Sequence, residues 1–198
     1  MPKPPILETL DWSGLFAKGR EYADWLAAGE SAENQEAMEE LRSQLPLNDL
    51  VKDFLAGLPR PVHVIAIAED WCGDVVRHVP VVQRMACVTD KLRLRFLHRE
   101  EAPEMFARFL TNGGEAIPKF IFVSEDWTEC GNWGPMPERL KAMIAQGKAC
   151  GDLKTAREHV AQEYQADPGC TEVVDELCRL IDIASSPTAD PHARRWPG

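Results

Sequence analysis

Residues 69–80 read EDWCGDVVRHVP. Cys72 stands between a tryptophan and a glycine, just ahead of a helix-like run that extends to about Cys87. Immediately upstream, PVHVIAIA at 61–68 is short, rich in β-branched residues and largely apolar. That pattern predicts a strand buried on both faces. The cysteine therefore falls at a strand-to-helix turn. A dithiol redox pair would put a second cysteine at position 75, where this chain has Val75. The stretch predicts a redox-type geometry with only one sulfur.

Working outward, KLRLRFLH at 91–98 alternates strictly and reads as a second strand, and residues 101–111 as a short helix. NGGEAIP is a turn and loop. KFIFV at 119–123 is a third strand, and WTECGNW at 127–133 a fourth, joined to it by a tight Ser-Glu-Asp connection. PERLKAMIAQGK at 137–148 reads as a helix stopped by Gly147. The order from 61 to 147 is β-α-β-α-β-β-α. The first two strands flank a helix and are predicted parallel, with a right-handed crossover; the last two are predicted antiparallel. The fold class is α/β: one four-stranded mixed sheet with helices on both faces.

Helical additions lie on both sides of this core, and four segments follow: an N-terminal helical extension at 1–58, the core domain at 59–148, C-terminal helices at 149–185 and a flexible, Pro-rich tail at 186–198. In the first, LFAKGREYADWLAAG reads as one amphipathic helix ending at Gly29. Ser31 caps a second helix that Pro46 stops. LNDLVKDFLAGL places Leu47, Leu50, Val51, Phe54, Leu55 and Leu58 on one helical face. In the C-terminal part, helices are expected near 152–165 and 171–184.

With 198 residues and a formal charge of −10, the chain has the size of one domain and the wrong charge for a phosphate-backbone binder. Nucleic acid is not an expected partner. Neither is a membrane, because no window approaches the ~18 continuous apolar residues of a span. MPKPPILETLDWS lacks the apolar stretch of a signal peptide. Six scattered cysteines without any Cys-x-x-Cys pair predict reduced thiols in the cytoplasm and give little support to a zinc site. No cofactor is indicated: the Gly113-Gly114 pair turns the backbone and lacks the Lys-Ser or Lys-Thr of a phosphate loop.

DWCGD at 70–74, Pro80, TNGG at 111–114, IPKFIF at 117–122 and WGP at 133–135 occur in an order that resembles the thioredoxin superfamily, and within it a thioredoxin-like family with a WCGD signature. The resemblance covers about residues 60–147. It implies that Cys72 is the attacking cysteine, Trp71 the flanking tryptophan, and Pro118 a cis-proline facing the sulfur. Gly73, Asp74 and Ile117 complete the implied substrate platform. Three departures matter. Val75 replaces the resolving cysteine, Asp74 replaces the usual proline, and Ala66 replaces the buried proton-transferring aspartate. Met136 also stands where a basic residue is expected.

The thiolate is the reactive form, and a free cysteine ionises near pH 8.5. A helix N-terminus favours the anion, whereas Asp74 in the same turn disfavours it, and the sequence leaves the net sign open. If reactive, Cys72 attacks a disulfide or is oxidised to a sulfenic acid. Cys87 lies about 22 Å further along the helix, beyond the ~7 Å between Cα atoms that a disulfide allows. Release must come from glutathione, another small or protein thiol, or Cys130. Ile117 can offer backbone groups to an extended peptide. The alternative reading is a non-catalytic binding module with a vestigial cysteine. Asp74 and His78 share a helical spacing that, with Cys72, could hold zinc, but this spacing is more often an ordinary surface pair, and no metal site is expected.

Overall fold

A computed structural model of the protein describes residues 7–193 and 195–197. Residues 1–6 of the N-terminal extension, and Arg194 and Gly198 of the tail, lie outside the described residues. Four strands form one sheet: β1 (Val62–Ile67), β2 (Leu92–Leu97), β3 (Lys119–Ser124) and β4 (Glu129–Trp133), in the order β2-β1-β3-β4. β1 runs parallel to β2 and antiparallel to β3, and β3 is antiparallel to β4. The interior strand β1 is buried along its whole length, as its largely apolar run requires.

Nine α-helices surround the sheet among the described residues. Before it come α1 (Trp12–Lys18), α2 (Tyr22–Ala27), α3 (Ala32–Gln44) and α4 (Asp49–Ala56). Within the core are α5 (Gly73–Ala86), the short α6 (Pro103–Phe106) and α7 (Glu138–Cys150), and after it α8 (Leu153–Ala166) and α9 (Thr171–Ser185). Side chains alternate across a strand, so His63, Ile65 and Ile67 share one face of β1. His63 stacks on Trp127 at 4.1 Å and meets Phe16 of α1 edge-on at 4.9 Å, which puts α1 on that face. On the other face Phe120 stacks on Trp133 at 5.4 Å, and His78 of α5 meets Trp133 edge-on. That face carries α5 and α9, with α3 lying along α5.

Besides confining the helix expected over 101–111 to Pro103–Phe106, the structure departs from the sequence reading at four places. The single helix expected to end at Gly29 is broken at Gly19 and Arg20, because Arg20 exchanges both backbone hydrogen bonds with Phe96 at the free edge of β2. This blunts an otherwise unpaired edge. Trp25 of α2 then stacks on Phe96 at 4.9 Å. Leu50 is 55% exposed and leaves the apolar face that Val51, Phe54 and Leu55 share. Gly147 does not stop α7; a Cβ there would lie 2.4 Å from the Ala156 Cβ, so this glycine lets α8 pack closely. The stop is Gly151, with φ 79°.

The fourth departure is the end of the chain, expected to be flexible over 186–198. Trp196 is buried, edge-on to Phe54 at 5.2 Å, and its indole N–H donates to Asp175 at 2.8 Å. The backbone N–H groups of Arg195 and Trp196 both donate to the buried Asp182 carboxylate. An apolar anchor and three charge-assisted hydrogen bonds hold residues 195–197 between α4 and α9.

Candidate functional site

Cys72 is the N-cap of α5, with φ −90° and ψ 124°, and its side chain does not cap the helix. Its thiol instead donates to the Ile117 carbonyl, with Sγ 3.6 Å from the oxygen. The Ile117–Pro118 peptide is cis. Trp71 is 52% exposed, and a Cβ on Gly73 would meet nothing within 4 Å. The half-buried sulfur therefore lies between two open neighbours and faces the loop before β3. Of the residues singled out in the sequence, Trp71, Cys72, Gly73, Ile117 and Pro118 come together here; Asp74 points elsewhere.

Burial pushes the Cys72 thiol up from its ordinary value, and the Asp74 carboxylate adds to this. The Val75 and Asp74 N–H groups, and more distantly Arg99, pull the other way without prevailing. The sign left open by the sequence is thus upward. At neutral pH the sulfur is chiefly a thiol, the form able to donate to Ile117. Val75 is fully buried behind it. Cys130 sits on β4 beside the Phe122/Val123 irregularity, and its thiol donates to Thr128 at 3.2 Å. Phe122 is four residues along β3 from Pro118, roughly 13 Å at the rise of a strand. The structure thus puts Cys130 at the other end of the sheet from Cys72.

Two acidic residues before Trp71 carry structure that the sequence reading missed. Asp70 is 4% exposed, and its carboxylate accepts the Ser31 N–H at 2.7 Å while its carbonyl accepts from Asn34 at 2.9 Å. Burial would raise its pKa, but hydrogen bonds from the Ser31 and Glu30 backbone and from Gln35 outweigh that and lower it. Glu69 accepts from the His98 ring at 2.7 Å and from the Arg99 N–H at 2.8 Å. On the Trp71 side opens a cleft of about 740 Å³, lined by Gly29, Glu30, Glu69, Trp71, Arg99 and Glu100 among others. Only distant partners, Ser31, Asn34 and Gln35, distinguish Asp70 from a surface turn residue, and sequence order does not reveal them.

Asp74 faces the C-terminal helices. The Tyr164 hydroxyl of α8 donates to its Oδ1 at 2.9 Å. Arg77 lies 4.4 Å above the Tyr164 ring and donates to the Tyr164 and Asp167 carbonyls. Burial raises the Asp74 pKa, and Tyr164 and Arg77 partly offset it. His78, one turn on, points into the core between Trp133 and Tyr164, so the pairing of Asp74 with His78 read from their spacing is not made. The Asp74 and Pro135 carbonyls approach the His78 ring without reaching hydrogen-bond geometry, so neither ring nitrogen is partnered. Burial, with the Arg77 charge, pulls its pKa down to about 3 and holds the imidazole neutral. Among the described residues no group of three or more metal-capable side chains converges.

The Trp133 indole N–H donates to Glu176 of α9 at 2.6 Å, and the other Glu176 oxygen accepts the Glu138 N–H at 3.0 Å. Met136 is buried with Leu140 and Val160 in a small cluster under α8, which accounts for an apolar residue there. Lys119 is 3% exposed and donates to the Thr111 hydroxyl at 2.9 Å and the Gly134 carbonyl at 2.7 Å. The TNGG, IPKFIF and WGP stretches therefore meet at one ammonium. Burial, then the charge of Lys141, lowers its pKa to about 8.

A mixed sheet in this order, a cysteine capping the first core helix, and a proline loop facing the sulfur define a thioredoxin fold. The chain belongs to the thioredoxin family: the family profile described as Thioredoxin matches residues 20–152. No curated protein matches. Two solved structures are similar. One is a protein of unknown function from Pseudomonas aeruginosa, 17% identical, with a TM-score of 0.67 over 87% of this chain and 98% of that one. The other is an HIV epitope-scaffold, 18% identical, with a TM-score of 0.66 over 87% and 98% of the two chains. At these identities the likeness is one of fold.

Proposed function

We propose that this protein, a thioredoxin-fold chain of the WCGD type, carries out single-cysteine thiol–disulfide exchange through Cys72. The supporting observation is a half-buried sulfur with open neighbours at Trp71 and Gly73, 3.6 Å from the carbonyl that precedes Pro118. The Cys72 thiol loses its proton and the sulfur attacks one sulfur of a protein or glutathione disulfide. A Cys72–substrate disulfide forms, and the other substrate sulfur leaves as a thiolate. A second, external thiol then attacks the mixed disulfide and restores Cys72. All six cysteines are free, which fits a reducing, cytoplasmic setting. Because burial favours the protonated sulfur, exchange is slow at neutral pH and rises with pH.

The upward shift of Cys72 also favours a second reading, a binding module that uses the thiol only as a donor to Ile117. Incubation with oxidised glutathione, followed by intact and peptide mass spectrometry, separates the two. Exchange predicts a glutathione adduct on the Cys72 peptide first, formed faster at pH 9 than at pH 7 and reversed by reduced glutathione. Modification of the exposed Cys87 and Cys150 with Cys72 left bare would favour the binding module.

A further inference from the structure

The C-terminal helices reach into the first turn of α5 at one point. Tyr164, 90 residues after Asp74, donates its hydroxyl to the Asp74 carboxylate at 2.9 Å. Arg77 covers the Tyr164 ring at 4.4 Å and fastens the end of α8 through the Tyr164 and Asp167 carbonyls. Asp74 is the second residue of the helix that Cys72 caps. The hydroxyl thus ties the carboxylate to α8, two residues along the helix from the sulfur.

We propose that Tyr164 is a positioning residue for Cys72: by holding the Asp74 carboxylate against α8 and drawing its charge onto a hydroxyl donor, the C-terminal helix α8 sets how readily the Cys72 sulfur loses its proton. This deepens the exchange reading and rests on it for its biological sense. The physical link is short. An ionised Asp74 disfavours a thiolate in the same turn, and a hydroxyl donor spreads that charge. Without the hydroxyl, the charge is undiluted and free to turn toward Sγ. Other charged or titratable groups facing the pair are Arg77 and His78 on α5, Asp167 and Cys170 at the α8–α9 junction, and Arg99 near Cys72.

The test is the rate of iodoacetamide alkylation of Cys72 against pH, read on its own peptide, in the full chain. Asp74→Asn is expected to move the profile down by about half a pH unit, or about threefold in rate at neutral pH. Tyr164→Phe, which keeps the ring under Arg77, is expected to move it up by a similar amount. In the Asp74→Asn background, Tyr164→Phe should have no further effect. Circular dichroism and thermal melting confirm that each variant is folded. A Tyr164→Phe shift that persists with Asn at position 74, a downward shift, or no shift in a folded protein overturns the proposal. Alkylation needs no disulfide substrate, so failure of the positioning role is distinguishable from failure of exchange with glutathione.

Discussion

Asp70 and Asp74 bracket the Trp-Cys-Gly stretch, carry the same side chain, and have opposite environments. Asp70 accepts backbone N–H groups at the start of α3, and its pKa falls despite burial. Asp74 has one hydroxyl donor and a cation at a distance, and its pKa rises. Rigid backbone donors stabilise a carboxylate more fully than a single phenol does. The first aspartate is therefore a joint between the N-terminal helices and the core. The second carries a charge that is left incompletely satisfied beside the thiol. Each terminal addition reaches one side of Cys72, and they do different things there.

Four measurements sharpen this contrast, the largest effect first. His78, on the Asp74 side, binds no proton in the folded state until about pH 3, against 6.5 for the free side chain. Stability is full above 6.5 and falls as the pH drops toward 3, with a slope approaching 1.4 kcal/mol per pH unit. Urea unfolding of His78→Leu between pH 7 and 4 should show that slope flattened; an unchanged slope would mean His78 is not the group responsible. Asp70→Ala strips the acceptor from Ser31, and a loss of about 2–3 kcal/mol is expected at pH 7. A loss below about 0.5 kcal/mol would break the joint assigned to Asp70. Tyr164→Phe removes one hydrogen bond and should lower stability by only about 1 kcal/mol by the same measurement.

The fourth concerns sign and is the smallest in size. Asp70, with its lowered pKa, supplies stability that is present above 3.8 and withdrawn as the pH falls through the folded value. Asp74, with its raised pKa, does the reverse: its buried charge costs stability at neutral pH, and the cost is relieved as the pH falls toward 3.8. The stability difference from wild type should therefore shrink with acid for Asp70→Asn. For Asp74→Asn it should shift in favour of wild type. Parallel trends would erase the distinction between the two carboxylates.

The core order was legible because its signals are local. PVHVIAIA is apolar at every position but His63 and KLRLRFLH alternates, and those patterns admit few alternatives. Ser31 caps α3 with its own side chain, as its residue type suggests. The errors fell where a distant partner overrode a local preference. Arg20 left a helix to pair with Phe96, α7 continued through Gly147 because Ala156 packs on it, and Trp196 found Phe54. In the site, Trp71, Cys72, Gly73, Ile117 and Pro118 were legible from motif order. Glu69, Tyr164, Glu176 and Lys119 were not, because their meaning lies in partners 8 to 90 residues away.

By itself, the sequence determined that a strand feeds a lone cysteine into a helix N-terminus and that position 75 holds no second sulfur. These are matters of hydrophobic period and residue identity, which one chain segment carries alone. Only the tertiary structure decided that burial raises the Cys72 thiol, that Asp70 joins and Asp74 perturbs, and that α8 reaches the site through Tyr164. Desolvation and hydrogen bonding depend on what surrounds a group in space, and here the surroundings come from both ends of the chain.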